Sequence, residues 1–160
     1  MIQKKLLFVC LGNICRSPAA EAVMIGKLKK AGKDQHVICD SAGTIGFHSG
    51  AQADLRMRKQ AQRRGYAVTS ISRKVKADPD FDRFDMIIGM DDQNVKDLYA
   101  LTRSPEHHQK IFRMTDFSSQ LSYNYIPDPY YGDAADFELV IDLLEDACEG
   151  LLKYLEKEVN

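Results

Sequence analysis

The chain has no tryptophan, only five prolines and only four cysteines in 160 residues. Cys10, Cys15, Cys39 and Cys148 are too few and too scattered for the disulfide framework of a small secreted domain. None forms a Cys-x-x-Cys pair, and the four histidines do not fall at zinc-ligand spacing, so no metal is implied. His107 and His108 are adjacent and read as surface residues. No apolar run approaches the ~20 residues that a membrane-spanning helix needs. The run Leu6–Leu11 is cut short by Gly12, Asn13 and Arg16, which also ends its likeness to a secretory signal; the expected location is the cytoplasm. Charge of one sign is lacking too. Lys plus Arg is 22 and Asp plus Glu is 23, a net charge of -1, which offers no general attraction to nucleic acid or to an anionic membrane. Neither the glycine pattern of a dinucleotide loop nor that of a Walker loop is present.

What remains is 44% hydrophobic and 28% charged, the profile of one domain over residues 1–160. Short apolar runs alternate with amphipathic segments. Leu6–Leu11 reads as a strand buried on both faces. Ser17–Ala31 reads as a helix, with Pro18 in its first turn and Gly32 as its stop. Val37–Asp40, Asp85–Met90 and Ile111–Met114 are further strands; Asp54–Arg64 and Asp92–Leu101 are further helices. From Asp136 to Glu156, apolar residues recur at three- and four-residue steps, and Cys148 lies on that face as a core residue. The expectation is an α/β fold: a four-stranded parallel sheet, helices on both faces, and a phosphate-binding loop after the first strand. Two charge runs stand out, cationic from Arg56 to Lys76 and acidic from Asp133 to Glu149. They read as solvated helix faces rather than docking patches.

The chemistry concentrates where the first strand meets the first helix, in Cys10-Leu11-Gly12-Asn13-Ile14-Cys15-Arg16-Ser17-Pro18. Free N–H groups at a helix start bind phosphate-like oxyanions. Gly12 and Asn13 tolerate the left-handed angles that turn several N–H groups inward. Leu11, Gly12, Asn13, Ile14, Cys15 and Arg16 would form the cradle, with Arg16 offering a planar fork to two oxygens. The same field favours a thiolate at Cys10, to which Ser17 would donate a hydrogen bond. A cysteine attacking a phosphate ester needs an acid for the leaving oxygen. Asp128, between Pro127 and Pro129, is the candidate, with Tyr130 and Tyr131 as walls for an aromatic leaving group.

These stretches, together with Asp40-Ser41-Ala42-Gly43, Met90-Asp91-Asp92 and Asp128-Pro129-Tyr130-Tyr131, closely resemble the low-molecular-weight protein tyrosine phosphatases. The resemblance runs in order over essentially the whole chain. It implies Cys10 as nucleophile, Arg16 as phosphate ligand, Ser17 as support for the thiolate and Asp128 as general acid. It also implies a loop held by Asn13 through Ser41, a pocket lined by Ile14 and Phe47, and a protective disulfide from Cys10 to Cys15. Where relatives often have a supporting histidine, this chain has Ser70. The implied activity is phosphotyrosine hydrolysis through a phosphocysteine intermediate, without cofactor. The implied partners are tyrosine-phosphorylated proteins, with no nucleic acid, no membrane insertion and at most weak self-association.

Three other readings share some of these features. A thioredoxin-linked arsenate reductase would need further cysteines around positions 80–90, where there are none. A protein-arginine phosphatase resembles this loop with Thr where Ile14 stands. A silent phosphotyrosine-binding module would have lost the nucleophile or the acid, and both are present.

Overall fold

A strand whose two faces are both apolar belongs in the middle of a sheet, and β1 (Lys4–Cys10) lies there. Leu6, Phe8 and Cys10 point into one core, while Leu7 and Val9 point into the other. The structure is a computed structural model describing residues 3–159. The remaining strands are β2 (Val37–Gly43), β3 (Met86–Gly89) and β4 (Ile111–Arg113), in the order β2-β1-β3-β4 with every pair parallel. The chain steps outward from β1 to β2 and then crosses to β3 on the other side. That reversal leaves a crevice beyond the carboxyl ends of the strands, the usual place for a ligand in such sheets.

Helices α1 (Arg16–Lys30) and α6 (Ala134–Val159) pack together over one face of the sheet, joined there by α2 (Leu55–Arg63). On the other face, Phe81 of α3 (Ala77–Arg83), the adjoining Phe84, and Leu98 of α4 (Asp92–Leu101) close the second core. The short helix α5 (Pro105–His108) and a 3-10 turn at Met114–Phe117 flank β4. Burying one such Leu or Phe side chain contributes about 1.5–3 kcal/mol. Cys148 is fully buried on the apolar face of α6.

Several boundaries depart from the sequence reading. The second strand continues past Asp40 to Gly43, because its backbone pairs residue for residue with β1 as far as Cys10. The first helix begins at Arg16, one residue earlier than expected, and the last runs from Ala134 to Val159. Helix α3 was not foreseen: its charged sequence hides a helix that is held by buried Phe81 and by Asp80, which accepts from Lys76 N and Arg73. His107 is not a surface residue. Its ring is buried, stacks on Phe81 at 5.3 Å, and meets Asp82 at 2.8 Å.

The two charge runs are partly each other's partners. Arg64, just after α2, bonds Asp142 and Glu145 of α6 at 2.6 and 2.7 Å. Arg73 pairs with Asp40 and Asp80, and Arg56 with Asp54. No described helix is long and apolar enough to cross a membrane.

Candidate active site

The loop after β1 is built so that most of its carbonyl groups are spent away from the curl. Cys10 O accepts from Thr44 N, Leu11 O from Ile45 N, and Ile14 O from Asp54 N, at 2.8–3.0 Å. Gly12 O accepts from the Ser72 hydroxyl at 3.0 Å, and Cys15 O from Ala19 N at 3.2 Å. Among the described residues, no N–H group from Leu11 to Cys15 donates to another protein group. Helix α1 likewise starts without a side-chain cap. Free N–H groups over a positive helix end are what a doubly charged oxyanion requires. Two residues make the curl feasible. Asn13 takes φ 57°, a left-handed conformation that Asn tolerates better than most side chains. Gly43 lies so close beneath the loop that a β-carbon there would fall 2.7 Å from Leu11 O.

Cys10 lies at the floor of this curl, with its Sγ 3.0 Å from Ser17 Oγ. The Asn13 amide nitrogen donates to Ser17 Oγ at 2.8 Å and to Ser41 Oγ at 3.0 Å. Arg16 is buried and donates to Asp91 at 2.6 Å and to the carbonyl of Ile126 at 3.1 Å. Burial works against its charge, but Cys10, Asp91 and Asp128 outweigh it and hold the guanidinium above its ordinary range. Asp91 serves twice. One of its oxygens grips Arg16 while the other caps α4 by accepting from Asn94 N.

Opposite the loop, Asp128 brings Oδ2 to 3.8 Å from Arg16 Nη2, and its Oδ1 accepts from Tyr130 N at 3.2 Å. Its side chain is 46% exposed. Between loop and carboxylate lies a cleft of about 240 Å³. Cys10, Leu11, Gly12, Ile14, Cys15 and Arg16 line its floor, and Phe47, Tyr130 and Tyr131 its mouth. Phe47 and Tyr131 are mostly exposed. The rings of Tyr130 and Tyr131 meet edge-on at 4.9 Å. Cys15 is buried beside Cys10; burial first, then Asp54, Cys10 and Asp128, push its thiol far up.

Sequence reasoning missed three contributors. Asp91 stood in a recognised stretch but without a role; its position as an acidic cap right after a strand was the available signal. His48 lines the cleft and approaches Gly12, yet nothing in its neighbourhood marks it. Arg56 donates to both oxygens of Asp54 and to Tyr130 O at 2.9 Å, tying the Asp128 segment to the base of the loop. The Arg56 hydrogen bonds hold the Asp54 carboxyl below its usual range, although burial opposes them. Among the described residues, no group of three or more His, Cys, Asp or Glu side chains is placed to hold a metal ion.

Residues 5–160 match the family model described as low molecular weight phosphotyrosine protein phosphatase. The chain belongs to this family. Among its relatives, the Drosophila melanogaster low molecular weight phosphotyrosine protein phosphatase 1 is 39% identical, with 94% of this chain and 96% of that protein covered. The human low molecular weight phosphotyrosine protein phosphatase is 34% identical, covering 94% of each chain. A crystal structure of a protein tyrosine phosphatase from Entamoeba histolytica, with Hepes in its active site, superposes with a TM-score of 0.95. That protein is 51% identical, covering 99% of this chain and 100% of its own. The present chain is thus a phosphatase, a hydrolase of the low molecular weight protein-tyrosine-phosphatase type, built on a single-domain, four-stranded parallel sheet.

Proposed function

We propose that this phosphatase hydrolyses phosphotyrosine, and small aryl phosphates, through a phosphocysteine intermediate on Cys10 with Asp128 as general acid and base. The observation that carries this reading is the convergence on one cleft of the Cys10 sulfur, the Arg16 guanidinium and the Asp128 carboxyl, over a loop whose N–H groups are free. Phosphoryl oxygens would be held by the N–H groups of residues 11–16 and by Arg16. The Cys10 thiolate attacks phosphorus in line, and the bond from phosphorus to the phenolic oxygen breaks. The Asp128 carboxyl passes its proton to that oxygen, and the tyrosine leaves neutral. Water then attacks the phosphocysteine and gives a proton to the Asp128 carboxylate. The sulfur–phosphorus bond breaks, and inorganic phosphate departs. The charge that builds on the phosphoryl oxygens is met by preorganised donors.

Ser17 would hold the thiolate, while Asn13 and Ser41 hold the loop. Ile14, Phe47, Tyr130 and Tyr131 would form the slot for the ring, an apolar and aromatic lining suited to tyrosine. The domain would act as one unit over residues 1–160, in the cytoplasm, on tyrosine-phosphorylated proteins, with at most weak self-association. Rapid acid quenching during turnover of p-nitrophenyl phosphate tests the reading. The peptide containing Cys10 is expected to gain the mass of one phosphoryl group. A phosphoryl group found on another residue, or none under burst conditions, overturns it.

A further inference from the structure

Behind the loop, on the side away from the cleft, a chain of hydrogen bonds runs from the Cys10 sulfur to a carboxylate with no part in the reaction described above. Cys10 Sγ meets Ser17 Oγ at 3.0 Å, and Asn13 Nδ2 donates to Ser17 Oγ at 2.8 Å and to Ser41 Oγ at 3.0 Å. Ser41 Oγ in turn donates to Glu21 Oε1 at 2.6 Å. The direction of the bonds that Asn13 and Ser41 make follows from one anchor. Arg73 N–H donates to Asn13 Oδ1 at 3.0 Å, so the carbonyl end of that amide faces Arg73 and both amide protons face the two hydroxyls. Each hydroxyl accepts from Asn13 and has one proton left to give. For Ser17 there are two acceptors, Ala42 O at 3.3 Å and, once Cys10 is a thiolate, its Sγ at 3.0 Å. Ser41 has Glu21.

From this geometry we infer that Glu21 is a positioning residue for the nucleophile: as terminal acceptor it orients Ser41, which holds Asn13, which presents Ser17 to Cys10. The inference rests on the reading of Cys10 as nucleophile. Hydrogen bonds in such a chain polarise one another. A Ser41 hydroxyl whose proton is committed to a carboxylate is a better acceptor for Asn13, and an Asn13 amide pinned there keeps its second proton aimed at Ser17 Oγ, which leaves the Ser17 proton for sulfur. Asn13 needs the support, being the one described non-glycine residue at positive φ. Glu21 lies on α1 and faces β2 and the segment before α3. Besides Ser41, its neighbours are the Ser70 hydroxyl, Asp40 and Arg73. Burial chiefly, with Asp40, raises its titration above the usual carboxylate range against the opposing effect of Ser41, Ser70 and Arg73. A protonated Glu21 would donate to Ser41 instead of accepting, reversing the chain at its origin.

The test compares Glu21→Leu, Glu21→Gln and, as a control on the underlying reading, Cys10→Ser. Two readouts are used: kcat on p-nitrophenyl phosphate, and the pH profile of Cys10 inactivation by iodoacetate. Glu21→Leu is expected to lower kcat about tenfold, the size of leaving one buried hydrogen-bonding group unpaired. It should also move the alkylation midpoint to higher pH. Glu21→Gln, whose amide oxygen still accepts from Ser41, should recover most of kcat. With no proton to take up, it should also lose the acid-side step that Glu21 adds to the parent profile. A Glu21→Leu protein matching the parent in both readouts overturns the inference. Should Glu21→Leu fail to fold, a Glu21→Gln protein that keeps the same acid-side step overturns it. If Cys10→Ser retains turnover, the reading of Cys10 fails instead, so the two failures are distinguishable.

Discussion

Cys10 is 3% exposed, whereas the side chain of Asp128 across the same cleft is 46% exposed. The Cys10–Ser17 loop is held from behind. Most of its carbonyl groups are matched by neighbouring donors, its left-handed Asn13 is pinned at three points, and its nearly buried nucleophile lines the cleft. The Asp128 segment is held at its ends and from outside. Prolines flank the acid, Ile126 N is bonded to Met90 O, and the exposed Arg56 grips Tyr130 O. The difference matches the two tasks. A cradle for a transferring phosphoryl group works by fixed dipoles that need no rearrangement during the reaction. An acid that must meet leaving groups of varied shape, and later a water molecule, is better placed on a partly solvated segment. On this view the loop carries most of the rate, and the Asp128 segment carries the dependence on leaving group.

The largest effect expected is at the floor of the loop. Cys10→Ser should lower turnover at least about 10⁴-fold, as loss of a catalytic nucleophile does elsewhere. Phosphate binding measured by calorimetry should persist, since the cradle is made of backbone and Arg16. Substantial retained turnover would break the comparison outright.

Next comes the acid. Asp128→Ala should cost about 10²–10⁴ in kcat with phenyl phosphate as substrate. The loss should be much smaller with p-nitrophenyl phosphate, whose leaving oxygen needs less help. Equal losses on both substrates would place the proton donor elsewhere.

Arg56→Ala sharpens the comparison without touching either reacting group. Releasing Tyr130 O should loosen the Asp128 segment alone, lowering kcat for phenyl phosphate about threefold to tenfold, the size of one ordinary hydrogen bond, since this one is exposed to water. Phosphate inhibition should stay close to the parent value. A rise in the phosphate inhibition constant matching the fall in kcat would mean that Arg56 supports the loop instead.

The smallest effect in basal turnover is expected at Cys15. Cys15→Ser should keep most of the parent activity, but recovery by dithiothreitol after peroxide should fail, because no second thiol is left to trap oxidised Cys10. Burial pushes the Cys15 thiol up, and trapping needs its thiolate. Protection in the parent should therefore strengthen as pH rises, followed as the yield of a Cys10–Cys15 link by mass spectrometry. Equal recovery in the parent and Cys15→Ser would remove the role.

Much of this molecule is legible in one dimension because its signals are local. A continuous apolar run has to be an internal strand, and LLFVC became β1. A threefold and fourfold repeat of apolar residues has to be a helix face, and Phe137 to Leu155 line the core along α6. Cys10, Arg16 and Ser17 lie within one turn of chain, so their neighbourhood follows from the strand–loop–helix junction. His107 shows the limit, since adjacency to His108 says nothing about Phe81 and Asp82 lying more than twenty residues away. The same holds for α3, whose polar composition conceals the two phenylalanines that anchor its end.

By itself, then, the amino-acid order determined the sheet, its parallel class, the loop after β1 and the residue types of the chemistry, since each depends on periodicity or on contacts within a few residues. Tertiary structure alone decided which distant groups complete the cleft. Asp91 meets Arg16 across 75 residues, Arg56 meets Tyr130 across 74, and Ser72 meets Gly12 across 60. Those pairings depend on the crossing from β2 over β1 to β3 and on the packing of α2 against α6, and no local pattern records where such paths end.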